Sequence, residues 1–140
     1  MVAESHIGKV FDPFEVEVEK GAIIKFADAI ADPNPRFSNR KTDLEAPPTF
    51  GTTFRPEEGF FQTFEDLGVD LTRVLHEEEE YEYFRAIKPG DVLTCKTRVA
   101  NVYSKLGKSG GMDFVVLETE CKDPSGETVL IQRGTIVVRK

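Results

Sequence analysis

The chain has 140 residues, 39% of them hydrophobic and 31% charged, with a formal net charge of -7. That length fits one domain, 1–140, with enough apolar content for a core. The negative charge and the scattered basic residues argue against nucleic acid as a partner.

No apolar run approaches the roughly 20 residues that cross a bilayer. Met1 to Val10 lacks the apolar core of an export signal, so the expected location is cytoplasmic, with no membrane partner. Cys95 and Cys121 lie in strand-like runs, without Cys-x-x-Cys spacing or partnering histidines. Buried free thiols in a reducing compartment are expected, and His6 and His76 alone make a metal site improbable.

In chain order, Phe14-Glu15-Val16-Glu17-Val18-Glu19 alternates apolar and charged residues, a half-exposed strand ended by Gly21. Ile23, Phe26, Ala27 and Ile30 then fall at i, i+3, i+4 and i+7, the spacing of a short amphipathic helix. Asp32-Pro33-Asn34-Pro35 must end it, because proline has no amide donor and biases its predecessor toward extended backbone. A polar, proline-rich loop runs to about Pro48. Phe50, Phe54, Phe60, Phe61, Phe64 and Leu67 follow, around Pro56-Glu57-Glu58. A proline near a helix start, followed by carboxylates, places a central helix from about Pro56 to Leu67, closed by Gly68. Such an aromatic cluster is more commonly core than ligand site.

The second half is rich in β-branched and aromatic residues. Strands are expected over Tyr81 to Ile87, Asp91 to Tyr103, Met112 to Lys122 and Thr128 to Val138. Their separators are Lys88-Pro89-Gly90-Asp91, the Lys105 to Gly111 segment, and Asp123-Pro124-Ser125-Gly126, all strong turn signals. Short turns between consecutive strands imply an antiparallel meander. Glu77 to Glu80 reads as a solvated strand entry, with an acidic docking patch as the alternative. The expected class is α+β, a hot-dog arrangement in which a curved antiparallel sheet wraps one long helix. Edge strands need covering, so a dimer or larger even assembly is expected.

Several stretches resemble the MaoC-like dehydratase family, in its N-terminal-type, fatty-acid-synthase-like dehydratase branch. They are Phe26 to Pro35, Ala46-Pro47-Pro48-Thr49-Phe50, Leu75-His76-Glu77, Arg85 to Asp91 and Gln132-Arg133-Gly134-Thr135. The resemblance spans about Gly8 to Arg139 and includes small subunits of (3R)-hydroxyacyl-thioester dehydratases. It implies an acyl-CoA or acyl-carrier-protein thioester as ligand, and no cofactor. It also implies a homo-oligomer, or a heterodimer with a second MaoC-like subunit.

In that family an Asp and a His five residues later handle the α-proton and the water oxygen as an acid–base pair. The resemblance assigns the first part to Asp32, with Asn34 bracing the loop. Phe37 stands where the His should be, and a phenyl ring cannot exchange a proton. Loss of such a base costs a factor of about 10² to 10⁴. The resemblance also puts the backbone donor for the thioester oxygen at Gly51 or Thr52, although the family's usual His-Gly pair is absent. Phe37, Phe50, Phe54, Phe60, Phe61 and Phe64 are candidate acyl-chain contacts.

Each assignment has a plainer alternative. An Asp before a Pro at a helix end commonly makes a local side-chain–backbone turn. His76 is the obvious substitute base, yet a lone His at a strand entry is more commonly a structural hydrogen-bonder. The leading expectation is a hydratase or dehydratase subunit that needs a partner with an intact loop. The alternatives are a non-catalytic acyl-thioester binder, or a hot-dog thioesterase using Glu57, Glu58, Glu65 or Asp66. No strand-Gly-x-Gly-x-x-Gly-helix unit supports a flavin or nicotinamide enzyme.

Overall fold

The computed structural model describes residues 2–140. A short strand β1 (Phe14–Glu17) turns Phe14 and Val16 inward and its two glutamates outward, the alternation that its sequence dictates. Helix α1 (Lys20–Ala29) follows, with Ile23 and Ala27 fully buried. Gly21, expected to end the strand, lies inside the first turn of this helix.

The helix stops before the prolines act. The Ala31 amide donates to the Asp28 carbonyl (3.0 Å) and the Asp32 amide to that of Ala27 (2.9 Å). Ala31 is left-handed at φ 54°, so the end is a Schellman turn with alanine where glycine is usual.

Four longer strands complete one antiparallel sheet: β2 (Val74–Tyr83), β3 (Val92–Gly107), β4 (Gly110–Lys122) and β5 (Thr128–Arg139). The order is β1-β3-β4-β5-β2. β3, β4 and β5 form the expected meander, but β2 does not join it beside β3. It lies at the far edge against β5, from Val74↔Val138 to Tyr83↔Leu130. The chain then crosses back over the end of the sheet. Along that path the Phe84 amide bonds the Val129 carbonyl (2.9 Å), Arg85 pairs with Asp91 (2.8 Å) and the Ala46 amide bonds the Ile87 carbonyl (2.7 Å). Register shifts at Val99/Asn101, His76/Glu78 and Cys121/Lys122 are bulges, which bend and twist the strands that carry them.

The helix expected over Pro56 to Leu67 is shorter than its aromatic pattern implied. Gly59 is left-handed at φ 76°, so α3 begins only at Phe60 and ends at Asp66, with no buried residue. A 3-10 turn, Phe50–Thr53, precedes it. The sheet's inner face is filled at both ends instead. One cluster holds Val18, Ile23, Phe50, Phe54, Leu93, Cys95, Cys121 and Leu130. The other holds Leu67, Val69, Val99, Val102, Val115, Ile136 and Val138. Cys95 and Cys121 are directly opposed across β3 and β4, both fully buried, with sulfurs 2.8 Å apart.

Among the described residues, no helix is long and apolar enough to cross a membrane, and no cluster of three His, Cys, Asp or Glu could hold a metal.

Candidate functional site

Because α3 is short, the middle of the inner face is not filled. A hollow of about 470 Å³ lies there, walled by Phe54, Phe60 and Phe64. Phe60 and Phe64 meet edge to face, with centroids 5.4 Å apart. Phe11 and Pro13 close another side, and His76 and Glu79 from β2 stand in the lining.

The floor is polar. Thr97, Thr119 and Gln132 line it, and they fall in one transverse row across β3, β4 and β5, since Thr97 opposes Thr119 and Thr119 opposes Gln132. The two threonine hydroxyls bond each other at 2.8 Å. Gln132 Oε1 is buried with no hydrogen-bond partner among the described residues. Tyr81 opposes Gln132 from β2 and extends the row.

Gly51, in the 3-10 turn, packs against Gln132 but does not itself line the hollow. A Cβ on it would stand 2.5 Å from Gln132 Oε1, 3.0 Å from Leu130 and 3.2 Å from Tyr81, so a larger residue here would have to displace the Gln132 side chain. The Thr52 amide is occupied by the Thr49 carbonyl (3.1 Å), whereas the Gly51 amide makes none of the backbone bonds that close this turn. Of the two oxyanion candidates, Gly51 has the amide without a hydrogen bond among the described residues, whereas Thr52 is the one that lines the hollow. On the β2 side, Gly134 leaves room for Glu79, whose Oε1 would lie 2.8 Å from a Cβ there. Burial pushes the Glu79 carboxyl above its ordinary range, and His76, with Nδ1 4.0 Å away, pulls it the other way.

Asp32 and Asn34 lie outside this hollow. Asp32 Oδ1 accepts the Asn34 amide (3.0 Å), and Asn34 Oδ1 accepts the Arg36 amide (3.1 Å), capping the short helix α2 (Pro35–Ser38). Phe37 is buried within α2 and is likewise absent from the lining. Phe50 sits in the core, edge-on to both Phe26 and Phe54, and Phe61 is largely exposed. His76 is exposed on β2. The arrangement brings together Thr52, Phe54, Phe60, Phe64 and His76, and separates them from Gly51, Phe50, Phe61, Asp32, Asn34 and Phe37, none of which lines the hollow.

Sequence reasoning passed over Thr97, Thr119, Gln132 and Glu79. A signal was present in β5, whose inward-phase positions include Leu130, Gln132, Gly134 and Ile136. A glutamine and a glycine interrupt an apolar phase there.

The FAS1-like dehydratase domain region family matches residues 5–132. The chain belongs to that family. A UPF0336 protein from Thermobifida fusca is 33% identical to it over 148 residues, spanning 99% of this chain and 94% of its own. The HadBC complex of Mycobacterium tuberculosis, a (3R)-hydroxyacyl-ACP dehydratase, superposes with a TM-score of 0.78 at 20% identity, over 94% of this chain and 96% of that one. The ChsH1-ChsH2 complex of the same organism gives 0.71 at 20% identity, over 94% and 84%. At these identities the solved structures establish the fold. This FAS1-like dehydratase domain is a MaoC-like, hot-dog protein with an antiparallel five-stranded sheet.

Proposed function

We propose that this chain is the substrate-cradling subunit of a (3R)-hydroxyacyl-thioester dehydratase, acting beside a second hot-dog protomer whose Asp/His loop is intact. One observation carries the reading. The chain has a hollow of about 470 Å³ with an aromatic wall, while Asp32 and Phe37 both lie outside it. The Asp32 carboxylate already accepts a backbone bond in its own turn, and the ring of Phe37 offers no base. Binding and proton transfer are thereby divided. This chain would hold the acyl thioester, whose oxygen gains negative charge as the α-proton moves, and the partner would supply the acid–base pair. The fold's likeness to two structures named as complexes is consistent with such a division of labour.

The test is to assay hydration of a crotonyl thioester with the chain alone, then with a co-expressed MaoC-like protein carrying Asp-x-Asn-Pro-x-His. Activity confined to the mixture is the expected result. Full activity in the lone chain overturns the division, and background turnover with every partner favours a non-catalytic acyl-thioester binder.

A further inference from the structure

On the reading that the hollow takes an acyl thioester, we propose that it also holds a hydrolytic site of its own, in which Glu79, with His76 beside it, is the general base that directs a water at the thioester carbon. This activity is separate from hydration and needs no partner.

The register of β2 makes the pair. Residues three apart on a regular strand face opposite sides of the sheet. Between His76 and Glu78 the register slips by one, with Glu77 as the unpaired extra residue. His76 therefore opposes Ile136 and Glu79 opposes Gly134, two positions in one phase of β5, and all four residues line the hollow. Bulges that re-aim a side chain are over-represented beside active sites. Gly134 completes the arrangement, because Glu79 Oε1 lies 2.8 Å from where a Cβ would stand there.

Glu79 is also the lining carboxylate best placed to act. Asp66 is engaged by Lys9 (3.8 Å) and accepts from Gln62 (3.1 Å), and Asp12 and Glu58 stand on loop segments. Glu79 is held on a strand, and among the described residues its one ion-pair neighbour is His76, with Nδ1 4.0 Å away. Tyr81, two residues on, feels the Glu79 charge and stays protonated. The Glu79 side chain is 40% exposed, open to water and ligand, and burial of the rest raises its proton affinity, which suits a base.

The aromatic wall takes the acyl chain and leaves the polar thioester head to β2. The Glu79 carboxylate takes one proton from a water, whose oxygen bonds to the thioester carbon. The C–S bond then breaks with its electron pair on sulfur. The proton on Glu79 passes to that sulfur, leaving a carboxylic acid, a thiol and an ionised Glu79. No separate acid is required, because a thiolate, with a conjugate pKa of about 8.5, is a good leaving group.

The experiment incubates the full chain alone with decanoyl-CoA, a saturated thioester that cannot be hydrated. Free CoA and decanoate are followed by mass spectrometry, and binding is read separately by calorimetry. The wild type is expected to release CoA, and Glu79→Gln to lower kcat by about 10²- to 10⁴-fold with affinity for decanoyl-CoA unchanged. His76→Gln removes the cation that draws the Glu79 pKa down, so the acidic limb of its kcat profile should move to higher pH. An unmoved limb overturns the part given to His76. Binding without release of CoA, release that survives Glu79→Gln, or a matching loss of binding and turnover in that variant overturns the general base and leaves the cradle standing. A wild-type chain that binds no decanoyl-CoA overturns the acyl-cradling reading and this inference with it.

Discussion

At the scale of single residues, the two ends of the sheet's inner face are governed by different forces. Gly51 matters because of what it lacks. Replacing it by Ala forces a methyl against Gln132, Leu130 and Tyr81. Overpacking of this kind costs about 1–3 kcal/mol, and the chemical-denaturation midpoint of Gly51→Ala should fall accordingly. The displaced Gln132 side chain lines the hollow, so thioester affinity should fall too.

Asp113 matters because of what it holds. It is almost fully buried, and it accepts bonds from Ser104 Oγ (2.6 Å), the Val2 amide (2.9 Å) and Lys140 Nζ (3.0 Å). Burial pushes its carboxyl up, but those donors outweigh it and hold the group below the usual carboxylate range. A depressed folded-state pKa gives stability that is present above the unfolded value, about 4, and is lost as pH falls through the folded one. Asp113→Asn should therefore cost about 2–4 kcal/mol at neutral pH. The gap from wild type should narrow below about pH 4 in urea titrations run at several pH values.

At the scale of elements, α1 ends on a strained cap. Ala31 occupies the left-handed position of the Schellman turn, where a Cβ is disfavoured by about 1 kcal/mol. Ala31→Gly should stabilise the chain by about 0.5–1 kcal/mol, read as a rise in denaturation midpoint.

This strain was not visible in the residue pattern, because Asp32-Pro33 offered an equally good reason for the helix to stop. The amphipathic spacing that placed Ile23 and Ala27 inside was legible, since burial is what that spacing encodes. The last three strands were legible for the same reason, but the turn expected over Lys105 to Gly111 narrows to Lys108-Ser109, because β3 and β4 pair on to Gly107↔Gly110. β2 was not: most of its side chains are exposed, so backbone bonding to β5 holds it and no alternation marks its start. The aromatic spacing runs straight through Gly59, although it is the residue that cuts the helix short. The aromatic wall of the hollow was partly legible, in Phe54, Phe60 and Phe64. The polar floor was not, because three residues far apart in sequence form one row only once the register is set.

At the scale of the whole molecule, β2 is an edge strand with its outer side unpaired in this chain. It carries Glu77, Glu78, Glu79, Glu80 and Glu82. Arg133 bridges Glu80 (3.3 Å), Glu82 (3.4 Å) and Glu118 (2.7 Å), which steadies the strand without neutralising it. Two copies joined through this edge would bring like charges face to face, an arrangement that destabilises strand pairing. Self-association of the lone chain through β2 should therefore be weak in dilute buffer and should strengthen in about 0.5 M salt, where screening shortens the reach of the glutamates. Sedimentation velocity at two ionic strengths checks this. An apparent mass that falls with added salt would mean that attraction, not repulsion, governs the edge.

The facing sulfurs of Cys95 and Cys121 give the protein a built-in reporter of opening. Their mutual hydrogen bond, then burial, pushes the Cys95 thiol far above its ordinary range, so the reactive thiolate is scarce in the native state. A water-soluble maleimide should consequently modify neither sulfur until strands β3 and β4 part. The labelling rate in native buffer, followed by mass spectrometry, should then track the rare excursions in which the sheet separates, with both sites modified together.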